Sequence, residues 1–199
     1  MYKIVLALVL SCLPIIAPAK SILVLGDSIS AGYGMEVQQG WVALMQKKFE
    51  SLKLVHVMHN ESISGDTSAG GLSRLEQALT RHKPEIVILE LGANDGLRGL
   101  PLEDMKHNLT AIVQRSEQAG AKVLLLAMKI PPNYGKRYIE MFYAVYPQLA
   151  GELKIPYVPF LLDDIALNPE LMQADGLHPN SRAQPAICEK VWTYLQALL

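Results

Sequence analysis

Short apolar runs alternate with amphipathic stretches along almost the whole chain. Ser21–Leu25, Lys53–His59, Glu85–Leu91, Lys122–Met128 and Tyr157–Phe160 are brief segments rich in apolar residues, mostly Ile, Leu and Val. Runs this short predict strands, and near-continuous apolarity predicts strands covered on both faces, as in a parallel sheet. Between them, Trp41–Leu52, Leu72–Arg81, Leu102–Gln118, Tyr138–Leu153 and Arg182–Leu198 place apolar residues at helical spacing. The helix at 72–81 is expected to be entered through Gly70 and Gly71, and the one at 138–153 to be kinked or broken at Pro147. This alternation predicts an α/β fold, a three-layer α/β/α sandwich around a five-stranded parallel sheet. Right-handed crossovers favour a flavodoxin-like strand order, 2-1-3-4-5.

The first nineteen residues follow another pattern. One lysine precedes the nearly all-apolar Ile4–Ile16, and Ala17-Pro18-Ala19 has the A-x-A form of a signal-peptidase site. The run is shorter than the roughly 18 apolar residues that a membrane span requires. It therefore predicts a signal peptide over 1–19, cut near Ala19, and a single domain over 20–199 that is periplasmic or secreted and not stably inserted in a membrane. Lipidation of Cys12 is the lesser alternative. Cutting at Ala19 leaves Cys188 as the one remaining cysteine, so no internal disulfide is available. Cys188 falls in the apolar rhythm of the last helix and reads as a packing residue.

Composition removes some classes of function. Half of the 199 residues are hydrophobic and the formal net charge is −1, which suits one domain with a full core. No basic excess or stripe points to a nucleic-acid partner. We expect a monomer that acts on a small molecule.

In parallel sheets function gathers at the carboxyl edge, so the residues that follow each apolar run matter most. They are Gly26-Asp27-Ser28 after the first, Asn60 to Thr67 after the second, Gly92-Ala93-Asn94-Asp95-Gly96 after the third and, beyond the fifth, Asp175-Gly176-Leu177-His178-Pro179-Asn180. Taken alone, Ser28 could cap a helix, cradle a phosphate or attack an acyl carbon. The glycines around it match neither G-x-x-x-x-G-K-[ST] nor G-x-G-x-x-G, which weakens the phosphate reading. No histidine accompanies the acids of the first and third segments, as a metallophosphoesterase would require, and His56 and His59 read as structural or surface residues.

Together the four segments carry the equipment for acyl transfer. A serine needs an imidazole to take its proton, and the imidazole needs a carboxylate to fix its tautomer. Asp175 and His178, three apart, are candidates for that pair. The tetrahedral intermediate needs donors aimed at its oxyanion, and the backbone N–H of Ser28, that of Gly65 and the side-chain amide of Asn94 are candidates. An α/β-hydrolase would carry its serine in G-x-S-x-G, and the sequence around Ser28 has no such elbow. Asp27 and Asp66 read as turn or capping residues, and Asp95 as a support for the loop that bears Asn94.

GDS, the glycine at 65, G-x-N-D and D-x-x-H occur in the order of the blocks of the SGNH (GDSL-type) hydrolase family, which this chain resembles over nearly all of residues 20–199. GDSISAGYGM, SISGDTSAGGLSRL, ELGANDGLRG, PPNYGKRY and DGLHPN resemble in particular a periplasmic branch of esterases and thioesterases; Ala93 stands where that branch has glycine. The resemblance implies Ser28 as nucleophile, Asp175 and His178 as the rest of a triad, Gly65 and Asn94 in the oxyanion hole, and no metal or organic cofactor. It implies acyl esters, acyl thioesters and lysophospholipids as substrates. Leu97, Leu100, Ile130, Tyr134 and Leu177, on two loops that should flank the serine and beside His178, are the expected acyl groove. A non-catalytic binding module or a carbohydrate-acetyl esterase on the same fold are the alternatives.

Overall fold

The computed structural model describes residues 19–199. The expected leader, with Cys12, therefore lies outside the described residues apart from Ala19. Among the described residues no helix is long and apolar enough to cross a membrane.

Five strands form one parallel sheet: β1 (Ser21–Gly26), β2 (Val57–Asn60), β3 (Ile86–Glu90), β4 (Lys122–Leu126) and β5 (Tyr157–Val158). Their order is β2-β1-β3-β4-β5, as the alternation predicted. Central β1 and β3 run in register from Ile22↔Ile86 to Gly26↔Glu90, and the Ile, Leu and Val residues at these positions are buried on both faces. The helices are α1 (Ser28–Ala31), α2 (Trp41–Ser51), α3 (Ser68–His82), α4 (Ala93–Leu97), α5 (Leu102–Gln118), α6 (Lys136–Leu153) and α7 (Gln184–Leu195). Helix α2 packs with α7, and α3 with α5 and α5 with α6, which gives the helical layers of a three-layer α/β/α sandwich.

Several boundaries differ from the sequence expectation, each for a local reason. Helix α3 begins at Ser68, before the two glycines, because Thr67 Oγ1 caps it by accepting the Gly70 N–H at 3.2 Å. Gly71 lies inside the helix and faces β3; a Cβ there would collide with the Leu91 side chain, so the glycine brings helix and sheet together. Helix α6 runs through Pro147 without interruption, its Phe142, Val145, Tyr146, Leu149 and Ala150 face being buried in the core. Packing of that face offsets the hydrogen bond that proline cannot donate. Strand β5 stops at Val158 because Pro159 has no N–H for the ladder; Leu161 N–H resumes contact with Ala127 O. Strand β2 starts only at Val57, since the chain first leaves α2 through Lys53 in a left-handed conformation.

Candidate active site

The carboxyl ends of β1, β2 and β3 deliver three loops to one rim. Ser28 is the first residue of α1, two positions beyond β1, and is nearly buried at 9 % exposure. Asp27 caps that short helix, its Oδ1 accepting the Ile29 N–H at 3.1 Å. The turn after β2 carries Gly65 at φ +81°, a left-handed conformation that favours glycine. The turn after β3 carries Asn94 in the first turn of α4.

A fourth segment comes from far along the chain and has almost no regular structure, so side chains hold it. Asn180 Nδ2 donates to the carbonyls of Glu170 (2.8 Å) and Met172 (3.1 Å), and the Gln173 N–H donates to His178 O at 2.7 Å. Gln173 Nε2 donates to Pro179 O and, across the rim, to Tyr33 O at 2.7 Å. These bonds bring His178 Nε2 to 2.9 Å from Ser28 Oγ and its Nδ1 to 2.6 Å from Asp175 Oδ2. The other Asp175 oxygen accepts the N–H groups of Leu177 and His178 at 2.9 and 3.0 Å. Partial burial works to raise the Asp175 carboxyl, but the hydrogen bonds from His178 and from these amides outweigh it and bring it down to about 2. It is an anion at every ordinary pH. The arrangement thus has a hydroxyl, an imidazole positioned to take its proton, and a permanent negative charge behind the imidazole.

Of the three expected oxyanion donors, the N–H groups of Ser28 and Gly65 meet no protein acceptor among the described residues. Asn94 is already engaged: its Nδ2 donates to Asp27 Oδ2 at 3.1 Å and to Asp66 O at 2.9 Å. The Gly65 turn is held by Arg98 Nη2, which donates to Gly65 O at 2.6 Å. It is also held by Arg74, which pairs with Asp66 at 2.7 Å and donates to the carbonyls of Gly26 and Glu61. Asp95 accepts both the N–H (2.8 Å) and the hydroxyl (2.5 Å) of Ser68, so it fastens the Asn94 loop to α3 as expected.

Two adjoining cavities open here. The smaller, about 180 Å³, holds Ser28, Asn94 and His178 together with Leu97 and Leu177. A larger apolar one of about 310 Å³ continues from it through Lys129, Pro131, Leu162 and Leu177, and includes Ile130. Leu100 and Tyr134, expected beside them, line neither cavity. Tyr134 serves the loop instead, its hydroxyl donating to Leu97 O at 2.9 Å. The large cavity takes more of its wall from Phe160, Leu162, Ala166 and Met172 than the sequence suggested. Phe160 and Leu162 could have been found by extending to β5 the search of residues beyond strand ends. Tyr33 was also missed: its ring lies 4.5 Å from that of His178, tilted by 40°. An aromatic inside the glycine-dotted Ala31-Gly32-Tyr33-Gly34, where a turn needs none, was the available signal.

His56 is buried and its Nδ1 accepts the Lys20 N–H, while His59 stacks on His82, so both are structural.

A parallel sheet of this order with these blocks at its carboxyl edge defines a class, and comparison with known proteins agrees. Residues 24–184 match the GDSL-like lipase/acylhydrolase family, and the chain belongs to it. Over 183 residues, 92 % of this chain and 91 % of the relative, it is 49 % identical to the esterase TesA of Pseudomonas aeruginosa. It is 45 % identical to thioesterase 1/protease 1/lysophospholipase L1 of Escherichia coli, over 92 % of this chain and 86 % of that one. A crystal structure of TesA superposes with a TM-score of 0.87 over 89 % of this chain and 99 % of that one, at 49 % identity. The psychrotrophic esterase EstA from Pseudoalteromonas, inhibited by monoethylphosphonate, superposes with a TM-score of 0.85 over 88 % and 96 %, at 44 % identity. The protein is an ester hydrolase.

Proposed function

We propose that this hydrolase is a serine esterase and thioesterase that works through a Ser28–His178–Asp175 triad and an acyl-enzyme. The observation that supports it best is the unbroken hydrogen-bond chain from Ser28 Oγ to His178 Nε2 (2.9 Å) and from His178 Nδ1 to Asp175 (2.6 Å). As Ser28 Oγ attacks the acyl carbon, His178 Nε2 takes its proton, and Asp175 stabilises the imidazolium that forms. The carbonyl oxygen becomes an oxyanion facing the amides of Ser28 and Gly65. The Asn94 amide reaches it by releasing Asp66 O while its other N–H stays on Asp27. Collapse breaks the bond to the leaving group, and His178 passes the proton to that oxygen or sulfur. Water then attacks the acyl-enzyme by the same route, releasing the acid and restoring the Ser28 hydroxyl.

The acyl chain lies in the apolar cavity beyond Leu177, where each buried CH₂ contributes roughly 0.8 kcal/mol. Relatives named as esterase and as thioesterase/lysophospholipase make acyl esters, acyl thioesters and lysophospholipids the substrate classes to try. Inhibition of the similar EstA by monoethylphosphonate is in keeping with a nucleophile that a tetrahedral phosphorus traps. We propose further that residues 1–19 are removed on export and that residues 20–199 act outside the cytoplasm.

The test is covalent labelling of the purified protein by a fluorophosphonate, with turnover of p-nitrophenyl esters and acyl-CoA. Ser28→Ala is expected to abolish both labelling and turnover while the protein stays folded. Near-normal turnover in Ser28→Ala overturns the reading, and absence of labelling in the unsubstituted protein favours a binding module.

A further inference from the structure

Two acids directly beneath the site take no part in the triad. Glu90, the last residue of β3, is fully buried, and Asp27 beside it is 1 % exposed. Glu90 Oε2 accepts the Ser30 hydroxyl at 2.7 Å and the Asp27 N–H at 3.3 Å. Ser30 in turn accepts the Trp41 indole N–H at 3.3 Å, so its hydroxyl proton is free to serve Glu90. Glu90 Oε1 is buried with no donor facing it among the described residues. The Asp27 and Glu90 side chains are within hydrogen-bonding reach of each other. Two ionised carboxylates cannot satisfy one another, because each only accepts. A cation could relieve them, but none points there. Arg74 is committed to Asp66 and to two carbonyls, one of them that of Gly26. Of the remaining titratable neighbours, Tyr146 is a neutral phenol that donates to Leu91 O, and His178 is the nearest imidazole.

We propose that Glu90 is held protonated and donates to Asp27, so that the pair carries a single negative charge whose work is to position the oxyanion donors. Asp27 carries that charge, caps the turn that begins with Ser28, and grips the Asn94 amide. Asp27 is thus a positioning residue, and Glu90 sets its charge. Two charges here would oppose the oxyanion forming above them, and no charge would loosen the grip on Asn94. Burial pushes both carboxyls up, and repulsion from Asp27 adds to the rise at Glu90, whereas the Ile29 amide and the contact with Glu90 draw Asp27 back down, in keeping with one shared proton. The space is fitted to this contact. A Cβ on Gly26 would stand 2.9 Å from Glu90 Oε2, so a larger residue at 26 would displace the acid.

The functional half of this inference rests on the triad reading, so its test has an arm independent of turnover. Carboxyl carbons of ¹³C-labelled Glu and Asp are titrated by NMR in the full chain, with the Glu90 signal assigned by its loss in Glu90→Gln. Glu90 is expected to show a protonated carboxyl at pH 7 and Asp27 an ionised one; an ionised Glu90 at pH 7 overturns the proposal, whatever the nucleophile proves to be. The second arm measures kinetics per fluorophosphonate-titrated site. Asp27→Asn is expected to lower kcat at least tenfold with KM within twofold, and Asn94→Ala to cost less than threefold more in that background. Full kcat per titrated site in Asp27→Asn, or complete additivity with Asn94→Ala, removes the positioning role. Activity remaining in Ser28→Ala would instead overturn the triad and leave the titration result standing.

Discussion

Two aspartates stand close to Ser28, and their surroundings drive them in opposite directions. Asp175 sits on an irregular loop with its side chain 37 % exposed, and three donors converge on it, two of them backbone amides. Asp27 lies under the sheet's edge at 1 % exposure, with the Ile29 amide and the Asn94 side chain as donors and another acid as neighbour. Asp175 is driven down to about 2, whereas burial pushes Asp27 up. What decides is the balance between donors gained and water lost. Solvent access with three donors makes a carboxylate a fixed anion, as an imidazole partner requires. Burial beside a second acid favours a pair that keeps one proton between its two carboxyls.

The strongest way to break this contrast is to remove the fixed charge. Asp175→Asn keeps the shape but offers His178 Nδ1 an amide that can donate, favouring the wrong tautomer. We expect kcat to fall on the order of 10³–10⁴-fold, with the folded state intact by circular dichroism. A loss below tenfold would show that Asp175 does not hold the imidazole's tautomer. The next effect in size comes from the group that Asp27 grips. Asn94→Ala should lower kcat by about 10²–10³-fold if the amide serves the oxyanion. A change confined to KM would make Asn94 a substrate-binding group and would sever the buried pair from the chemistry.

The unequal legibility of the two acids in the sequence has a physical cause. Strand order, the rim of the sheet and the spacing of Asp175 from His178 all follow from patterns that are local or repeat along the chain. Helix Leu102–Gln118 was predicted to its exact ends because a full amphipathic face and the turn at Gly120 define it. Asp27 could be recognised as a cap from its position before a helix, yet its pairing with Glu90 could not. That pairing depends on β1 and β3 lying side by side with Gly26 opposite Glu90, which brings together Asp27 and Glu90, 63 positions apart. The acyl cavity was half legible for a similar reason. Ile130 and Leu177 lie next to recognisable blocks, whereas Phe160 and Leu162 are ordinary core residues until the end of β5 turns them towards the site. Pro147 misled because a local rule about proline was weighed without the five buried side chains that keep α6 whole.

The smallest effect separates the two acids by linkage. A carboxyl whose folded pKa is lowered adds stability that is present above its unfolded value, near 3.9, and is lost as pH falls through the folded one. For Asp175 that window runs down to about 2, so its contribution is constant across neutral pH. A carboxyl whose folded pKa is raised behaves in the opposite sense. The unfolded chain releases the Glu90 proton near 4.3 while the folded chain keeps it, so stability falls as pH rises until the folded acid ionises. One proton corresponds to about 1.4 kcal/mol per pH unit, or roughly 3–6 °C in Tm for a domain of this size. Glu90→Gln has no such proton to keep. The difference in Tm between the unsubstituted protein and Glu90→Gln should therefore shift against the former with each unit from pH 7 upward, and the pH at which the difference levels off gives the folded pKa of Glu90. Differential scanning calorimetry of both proteins in parallel buffers provides the check. A flat difference from pH 7 upward would mean that Glu90 is already ionised in the folded protein, and the two carboxyl environments would no longer differ in the way that burial requires.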